Sequence, residues 1–168
     1  MNGVEDRVVA ALAATGLAYE LIPCDPDLAD TAAFCAHYGY PESQSANTIV
    51  VASRRPQGHN AACVVLATTR INVNTVVRSR LGVRKVSFAP PEATAEITGM
   101  VMGGVTPFGL PDELPLWVDA HVMDHDWVIL GGGSRSLKIK VDPAALTAVG
   151  GDVVSGLAAP FEAPPSDG

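Results

Sequence analysis

Cysteines, basic residues near the N-terminus and long apolar runs are scarce in this sequence, and each scarcity excludes a class of protein. There are three cysteines and no Cys-x-x-Cys pair, which argues against a disulfide framework and a zinc knuckle. No apolar run approaches the roughly 18 residues that a membrane-spanning helix needs. The chain begins with two acidic side chains before its first arginine, whereas a secretory signal begins with basic residues. These features predict a cytoplasmic protein with no membrane partner.

Acidic residues are absent between residues 54 and 85, although the chain as a whole is acidic. The formal net charge is −7, from 11 Lys and Arg against 18 Asp and Glu. The acid-free stretch contains these basic residues: Arg54, Arg55, Arg70, Arg78, Arg80, Arg84 and Lys85. Nucleic-acid binding needs a local basic patch and not a basic total, so this stretch is a candidate binding surface. A solvated helix face and loop is the alternative interpretation.

The order of predicted elements indicates a single α/β domain. The 168 residues are enough for one sizeable core, and neither a repeat nor a linker divides them. Apolar spacing predicts helices at residues 4–15 and 72–81, and two apolar strands at 48–53 and 61–68 predict a hairpin. Strands joined so tightly favour a mixed, mostly antiparallel curved sheet flanked by helices, of the α+β type. We expect this domain to cover residues 1–150, followed by a flexible tail over 151–168.

Glycine and proline are concentrated in the run from Met102 to Gly109, which reads MGGVTPFG. This composition excludes an ordinary helix or strand interior, because glycine takes backbone angles that other residues avoid and proline fixes φ. A rigid loop with its N–H groups turned outward would form a cradle for an oxyanion or a phosphate. A tight structural turn is the alternative.

Polar residues with possible functions follow between residues 119 and 135. His and Asp side chains from 119 to 126 are of metal-ligand types, but their spacing favours an acidic turn, so we expect no metal. Asp119 and His121 share one face of an extended segment and could line a pocket beside the glycine loop, with His121 as an acid–base candidate. The segment from Gly131 to Ser134 would either offer N–H groups to a nucleotide or form a hairpin turn. The Arg135 guanidinium suits phosphate oxygens or a surface ion pair.

Several of these segments, in order along the chain, resemble the YbaK / prolyl-tRNA-synthetase editing-domain family. Its members hydrolyse misacylated tRNA, often in trans. The resemblance covers roughly residues 16–150 and includes the family's Gly-x-x-x-Pro element, which falls at 103–107. The other matching segments lie at residues 19–22, 46–51, 70–73, 81–82, 85–86, 114–119 and 131–139. The ordered set is much more specific than any one of these elements.

The resemblance implies hydrolysis of an ester at the glycine loop. In similar domains this loop presents backbone groups to the aminoacyl ester at the 3′ end of tRNA, where positioning, oxyanion stabilisation and water can suffice without a triad or a cofactor. We therefore expect catalytic roles for Asn47, Gly103, Gly104, Val105, Thr106 and Pro107. Substrate contacts are expected from Asp119, His121, Gly131, Gly132, Gly133, Ser134 and Lys138. tRNA contacts are expected from Arg135 and the basic residues of the acid-free stretch.

Two positions depart from the family pattern. Family deacylases usually carry a lysine where this chain has Asn47, and often an aspartate where it has Lys138. Asparagine can hydrogen-bond a carbonyl or a 3′-terminal hydroxyl but brings no positive charge. We hypothesise that Lys138 supplies the cation from the opposite wall of the same pocket. The alternative is that Lys138 points to solvent on an edge strand together with Lys140.

Three classes of function stay open at this point. The first is a freestanding aminoacyl-tRNA deacylase, and the second is a binding module that recognises the acceptor end of tRNA without hydrolysis. The third is a repurposed small-molecule hydrolase. The basic stretch favours the first two, and Asn47 favours the second over the first. The tRNA acceptor end is the expected partner and an aminoacyl-tRNA synthetase a further candidate, while the oligomeric state stays open.

Overall fold

The largest sheet of the computed structural model, which describes residues 3–161, grows from the predicted hairpin. Strands β2 (Ala46–Arg55) and β3 (Gln57–Leu66) pair antiparallel along their length. Strand β5 (Lys85–Phe88) lies antiparallel on the other side of β2. Strands β6 (Leu116–Asp119) and β9 (Asp152–Val154) extend the sheet beyond β3 in parallel, which gives the order β5-β2-β3-β6-β9.

Two smaller sheets complete the strand architecture. Strand β8 (Leu137–Val141) lies between β1 (Tyr19–Pro23) and β7 (Val128–Gly131), and both pairings are antiparallel. Strand β4 (Thr69–Ile71) pairs antiparallel with β10 (Ala158–Pro160). The predicted mixed and mostly antiparallel architecture is therefore confirmed, although the strands are divided among three sheets.

Five α-helices surround the sheets within the described residues. They are α1 (Gly3–Ala14), α2 (Thr31–Tyr38), α3 (Arg78–Leu81), α4 (Pro91–Thr98) and α5 (Ala144–Ala148). Helices α2, α3 and α4 end at glycines in the left-handed conformation, the usual C-terminal cap. Across residues 3–161, none of these helices is both long enough and apolar enough to cross a bilayer.

The helix expected at residues 72–81 is only partly α-helical. Its first part, Val73–Val77, is a π-helix, and α3 follows it directly. The Asn72 side chain does not cap this helix, because its Nδ2 group donates to the carbonyl of Gly156 at 2.8 Å. The backbone N–H of Asn72 donates to Leu157 O at 2.8 Å. Contact with a distant segment therefore alters the local helix geometry.

The C-terminal segment is ordered further than its composition indicates. Residues 151–168 were expected to form a flexible tail, but β9 and β10 lie within them. Leu157 and Ala158 are buried in the core, and Ala158 N donates to a carboxylate oxygen of Asp119 at 3.1 Å. The high content of Pro, Ala and Gly favoured a flexible tail, and the few apolar residues that are buried gave no contrary pattern. Residues 162–168 lie outside the described residues.

The two faces of the large sheet carry separate cores. Val64 packs in one of them, together with α1, α5 and the inner residues of β7 and β8. Cys63 and Val65 pack in the other, beneath the π-helix and the C-terminal strands. A third and smaller cluster surrounds Phe34 of α2. This arrangement brings the N-terminal half of β2 between α2 and the β7–β8 pair.

Candidate functional site

A cavity of about 250 Å³ lies where β2, α2, the glycine loop and the β7–β8 pair meet. It brings together five of the residues that the sequence singled out: Asn47, Gly103, Val105, Gly131 and Lys138. Apolar side chains, among them Phe34, supply much of the remaining wall. A concave, largely apolar site with a few converging polar groups is typical of a small-molecule or cofactor pocket.

Lys138 reaches this cavity from the central strand β8. Its side chain is only 6% exposed, and its Nζ donates to the carbonyl of Gly103 at 2.9 Å. The same Nζ lies 5.7 Å from the centre of the Phe34 ring. Burial lowers the pKa of Lys138, and the nearby Asp30 carboxylate partly opposes this shift. Because β8 is paired on both sides, the alternative of a solvent-facing lysine on an edge strand is wrong.

Asn47 is held in one orientation by α2. The hydroxyl of Thr31, the first residue of α2, donates to Asn47 Oδ1 at 2.7 Å. With Oδ1 engaged as an acceptor, the Nδ2 group of Asn47 remains as the donor end of the amide. The cavity therefore contains an ammonium on one wall and an oriented amide on another.

The cavity also borders an open stretch on the outer edge of β2, between Ser45, which forms a parallel bridge with Ile129 of β7, and Val50, which is covered at the end of β5. Strand β5 pairs only with the C-terminal half of β2, where the Val50 carbonyl accepts from Ala89 N at 2.9 Å. On the opposite edge, the Ser45 carbonyl accepts from Ala67 N at 2.8 Å. Successive residues of a strand direct their peptide groups to opposite edges. The N–H and C=O of Thr48 therefore point to the same edge as those of Val50, where β5 has ended and the cavity begins.

The glycine loop forms a tight turn whose peptide groups are largely engaged within the protein. Gly103 has φ +88°, a conformation that favours glycine. The N–H of Gly104 donates to Val101 O at 2.9 Å, and the Gly104 carbonyl accepts from Gly133 N at 2.7 Å. The expectation that the N–H groups of the loop all turn outward is therefore wrong for Gly104.

The second half of the loop anchors it in the core. Val105 borders the cavity, but Thr106 and Phe108 are completely buried behind it. Pro107 is also buried and borders a separate cleft beside α1. Thr106 and Pro107 therefore position the loop and do not line the cavity that was expected to contain them.

The second glycine run contributes one residue to the cavity and the rest to packing. Gly131 lines the cavity, and a Cβ atom there would lie 2.5 Å from the Val105 carbonyl oxygen. Gly132 packs against a side chain of β8, and Gly133 packs against α1. The Ser134 hydroxyl donates to the carboxylate of Glu5 on α1. Close packing, and not an open nucleotide-binding loop, accounts for these glycines.

Asp119 and His121 do not border the cavity, contrary to expectation. Asp119 is completely buried, and its carboxylate accepts from the backbone N–H groups of His121 and Ala158 at 3.2 and 3.1 Å. The His121 side chain is 65% exposed, and its Nδ1 lies 3.1 Å from Asp124 Oδ2. The reason is a 3₁₀ helix at Ala120–Asp124, which replaces the extended segment that would have aligned the two side chains.

Arg135 joins three segments at the mouth of the cavity. Its Nε donates to Pro26 O at 2.9 Å. Its Nη1 lies 3.3 Å from Asp30 Oδ1 and 3.3 Å from Met102 O. Much of the guanidinium is thus engaged in these contacts within the protein. The expected contact of Arg135 with phosphate remains a prediction.

The basic residues of the acid-free stretch are all exposed but lie away from the cavity. Arg54 is seven residues along β2 from Asn47, which corresponds to about 23 Å at the strand rise of about 3.3 Å per residue. Arg84 N donates to Arg55 O at 3.0 Å, so both ends of the stretch meet there. The guanidinium of Arg80 stacks over Trp117 at 4.8 Å. A tRNA-binding role for this surface remains a prediction.

The cysteine thiols are poor nucleophiles in this fold. Cys24 is buried, and its thiol lies 3.2 Å from Asp25 O. Burial raises the pKa of Cys24 and raises that of Cys63 to about 12. Since the thiolate is the reactive form, neither residue is equipped for covalent catalysis.

Sequence reasoning missed the contribution of α2 to the site. Asp30, Thr31 and Phe34 all border the cavity. Asp30 is the N-cap residue of α2, but its side chain makes no capping bond. The sequence carries no signal of this second role, because only the structure shows that the Asp30 carboxylate does not cap the helix.

Comparison with known proteins agrees with this geometry. Residues 25–149 match the aminoacyl-tRNA editing domain family. The matched segment contains the whole cavity, including Asn47, the glycine loop and Lys138. The chain therefore belongs to the aminoacyl-tRNA editing domain family, as its motifs predicted.

Solved structures of similar proteins share the fold over nearly the whole chain. A hypothetical protein with 27% sequence identity superposes with a TM-score of 0.80, covering 91% of this chain and 99% of its own. A candidate trans-editing enzyme for prolyl-tRNA synthetase, 21% identical, gives a TM-score of 0.77 and covers 92% and 97%. At this identity the second likeness supports the fold alone.

Proposed function

We propose that this chain is an aminoacyl-tRNA deacylase that hydrolyses the ester of mischarged tRNA in trans. One observation carries the proposal: Lys138 Nζ and the oriented Asn47 amide face one cavity beside the family's glycine loop. Family membership supports the substrate class, since the family is defined by editing of aminoacyl-tRNA.

The chemistry needs little from the protein beyond position and charge. A water oxygen attacks the ester carbonyl carbon, and the carbonyl oxygen becomes an oxyanion. The 3′ oxygen of the terminal ribose then leaves and takes a proton, which releases the amino acid and free tRNA. Preorganised donors aimed at the oxyanion are the largest contribution that such a site can make.

We assign three donors to this task. Lys138 directs one of its hydrogens to Gly103 O and has two others for the cavity. The Asn47 Nδ2 group and the Thr48 peptide N–H are the other two donors. In similar deacylases a lysine stands at the position of Asn47, so here the cation comes from the opposite wall. Because the site is buried, the ammonium acts with less screening than in water.

The proposal is tested with a panel of mischarged tRNAs. Wild-type protein should release the amino acid from at least one of them, and Lys138→Ala should lower kcat about 10²- to 10³-fold, the usual cost of removing an oxyanion donor. Lys140→Ala is the matched control, since Lys140 lies on the same strand but stacks over Trp127. Unchanged deacylation of every tested tRNA by Lys138→Ala would contradict the proposal. Filter binding without release by wild-type protein would indicate a binding module instead.

A further inference from the structure

Two apolar side chains are exposed side by side at the mouth of the cavity. Val101 is 50% exposed and Met102 is 44% exposed, and Met102 also lines the cavity wall. Together they form an apolar rim next to a polar site.

The turn that carries this apolar rim is held from three directions. Gly104 N donates to Val101 O at 2.9 Å and closes the turn. Arg135 Nη1 lies 3.3 Å from Met102 O, and Lys138 Nζ donates to Gly103 O at 2.9 Å. These bonds fix the backbone of the turn, so both side chains project from a defined position at the mouth.

The size of the cavity decides which part of a substrate would meet the rim. Its volume of about 250 Å³ is below the roughly 300–1,000 Å³ of pockets that enclose a drug-sized ligand. An aminoacyl-nucleoside is of drug size, so the aminoacyl group and its nucleoside do not both fit inside. The terminal base must therefore lie at the mouth, within reach of the apolar rim.

We propose that Val101 and Met102 form a platform on which the terminal nucleobase of the acceptor strand packs. This inference rests on the proposed function, because it takes aminoacyl-tRNA as the ligand. Packing of a base on an apolar surface requires no hydrogen-bond readout, which suits a terminal nucleotide that is common to all tRNAs. The platform would position the ester over the cavity, and the cavity itself would select the amino acid.

The test compares two esters of one amino acid, one with the terminal adenosine and one with a ribose that lacks the base. For wild-type protein, kcat/KM should be about tenfold higher with the base, since removing roughly 60 Å² of apolar surface from water is enough for that factor. Met102→Ala should lose most of this preference, through a higher KM for the ester with the base. Because Met102 also lines the cavity, kcat/KM for the base-free ester is expected to change by a clearly smaller factor. Met102→Leu should retain it, and Val153→Ala, an exposed apolar site on β9, is the matched control. An equal loss for both esters, or no loss for either, would overturn the platform.

A binding measurement separates this inference from the proposed function. A non-hydrolysable amide-linked aminoacyl-adenosine is titrated against wild-type and Met102→Ala protein by calorimetry. If no ester is cleaved but Met102→Ala weakens binding about tenfold, the platform is supported and the proposed deacylase function is wrong. If esters are cleaved but the Kd of the variant is unchanged, the platform fails alone. If wild-type protein neither cleaves nor binds, both proposals are wrong.

Discussion

Asn47→Lys, which places a second ammonium opposite Lys138, gives a quantitative test of the cavity. A sphere with the cavity volume of 250 Å³ is about 8 Å across, which sets the scale of the separation between the two charges. At an effective dielectric constant of about 20, like charges at this distance repel by about 2 kcal/mol. We therefore expect Asn47→Lys to lower the free energy of unfolding at pH 7 by about that amount.

The second substitution, Lys138→Asp, should reverse the sign of this interaction. In the double variant Asn47→Lys/Lys138→Asp, opposite charges face each other across the cavity. Relative to the two single variants, about 2 kcal/mol of repulsion is removed and about 2 kcal/mol of attraction is gained. The coupling free energy of the double-mutant cycle should be about 4 kcal/mol.

Urea unfolding of the four proteins at pH 7 measures the coupling free energy. The matched control is the same cycle with Lys140→Asp in place of Lys138→Asp. Lys140 lies on the same strand but does not line the cavity. Effects that add within about 0.5 kcal/mol for the Asn47 and Lys138 pair would refute the reasoning, because additivity is the behaviour of distant, independent sites.

Two further predictions concern stability. Burial lowers the pKa of Lys138 in the folded protein below its ordinary value of 10.5. Between the lowered pKa and 10.5, the folded protein binds fewer protons than the unfolded chain, so this group makes the free energy of unfolding rise with pH. The free energy of unfolding of wild type minus that of Lys138→Met should therefore increase with pH up to about 10.5, and a difference that does not change with pH would contradict this prediction. Gly104→Ala should destabilise the fold by about 1–3 kcal/mol in urea unfolding, because its Cβ would lie 2.6 Å from backbone atoms of Ser134; an unchanged midpoint would show that the two loops are not closely packed.

Local signals in the sequence were sufficient for the central hairpin and the N-terminal helix. The hairpin at 48–68 followed from two apolar runs around a turn, and the helix at 4–15 followed from the spacing of its apolar residues. The π-helix at Val73–Val77 and the strands β9 and β10 were not predicted. Asn72 bonds to residues more than 80 positions away, and β9 pairs with the distant strand β6, and such contacts leave no local pattern.

The cavity could be predicted only in part, for a related reason. Asn47, Gly103 and Lys138 were placed together through matched motifs, whereas Asp119 and His121 were placed by assuming an extended strand that ends at residue 119. The role of Gly132 and Gly133 was misread because the composition of a glycine run does not show which helix or strand will pack against it.

The open edge of β2 has a consequence for how this site tolerates sequence change. The Thr48 peptide group that faces the cavity belongs to the main chain, so replacing the Thr48 side chain leaves that donor and acceptor in place. Alanine scanning would therefore underestimate this part of the site. Only changes that end β2 earlier, or extend β5 by three residues to position 91 and so cover the edge, would remove it. The part of the pocket most resistant to point substitution is thus determined by where a neighbouring strand stops.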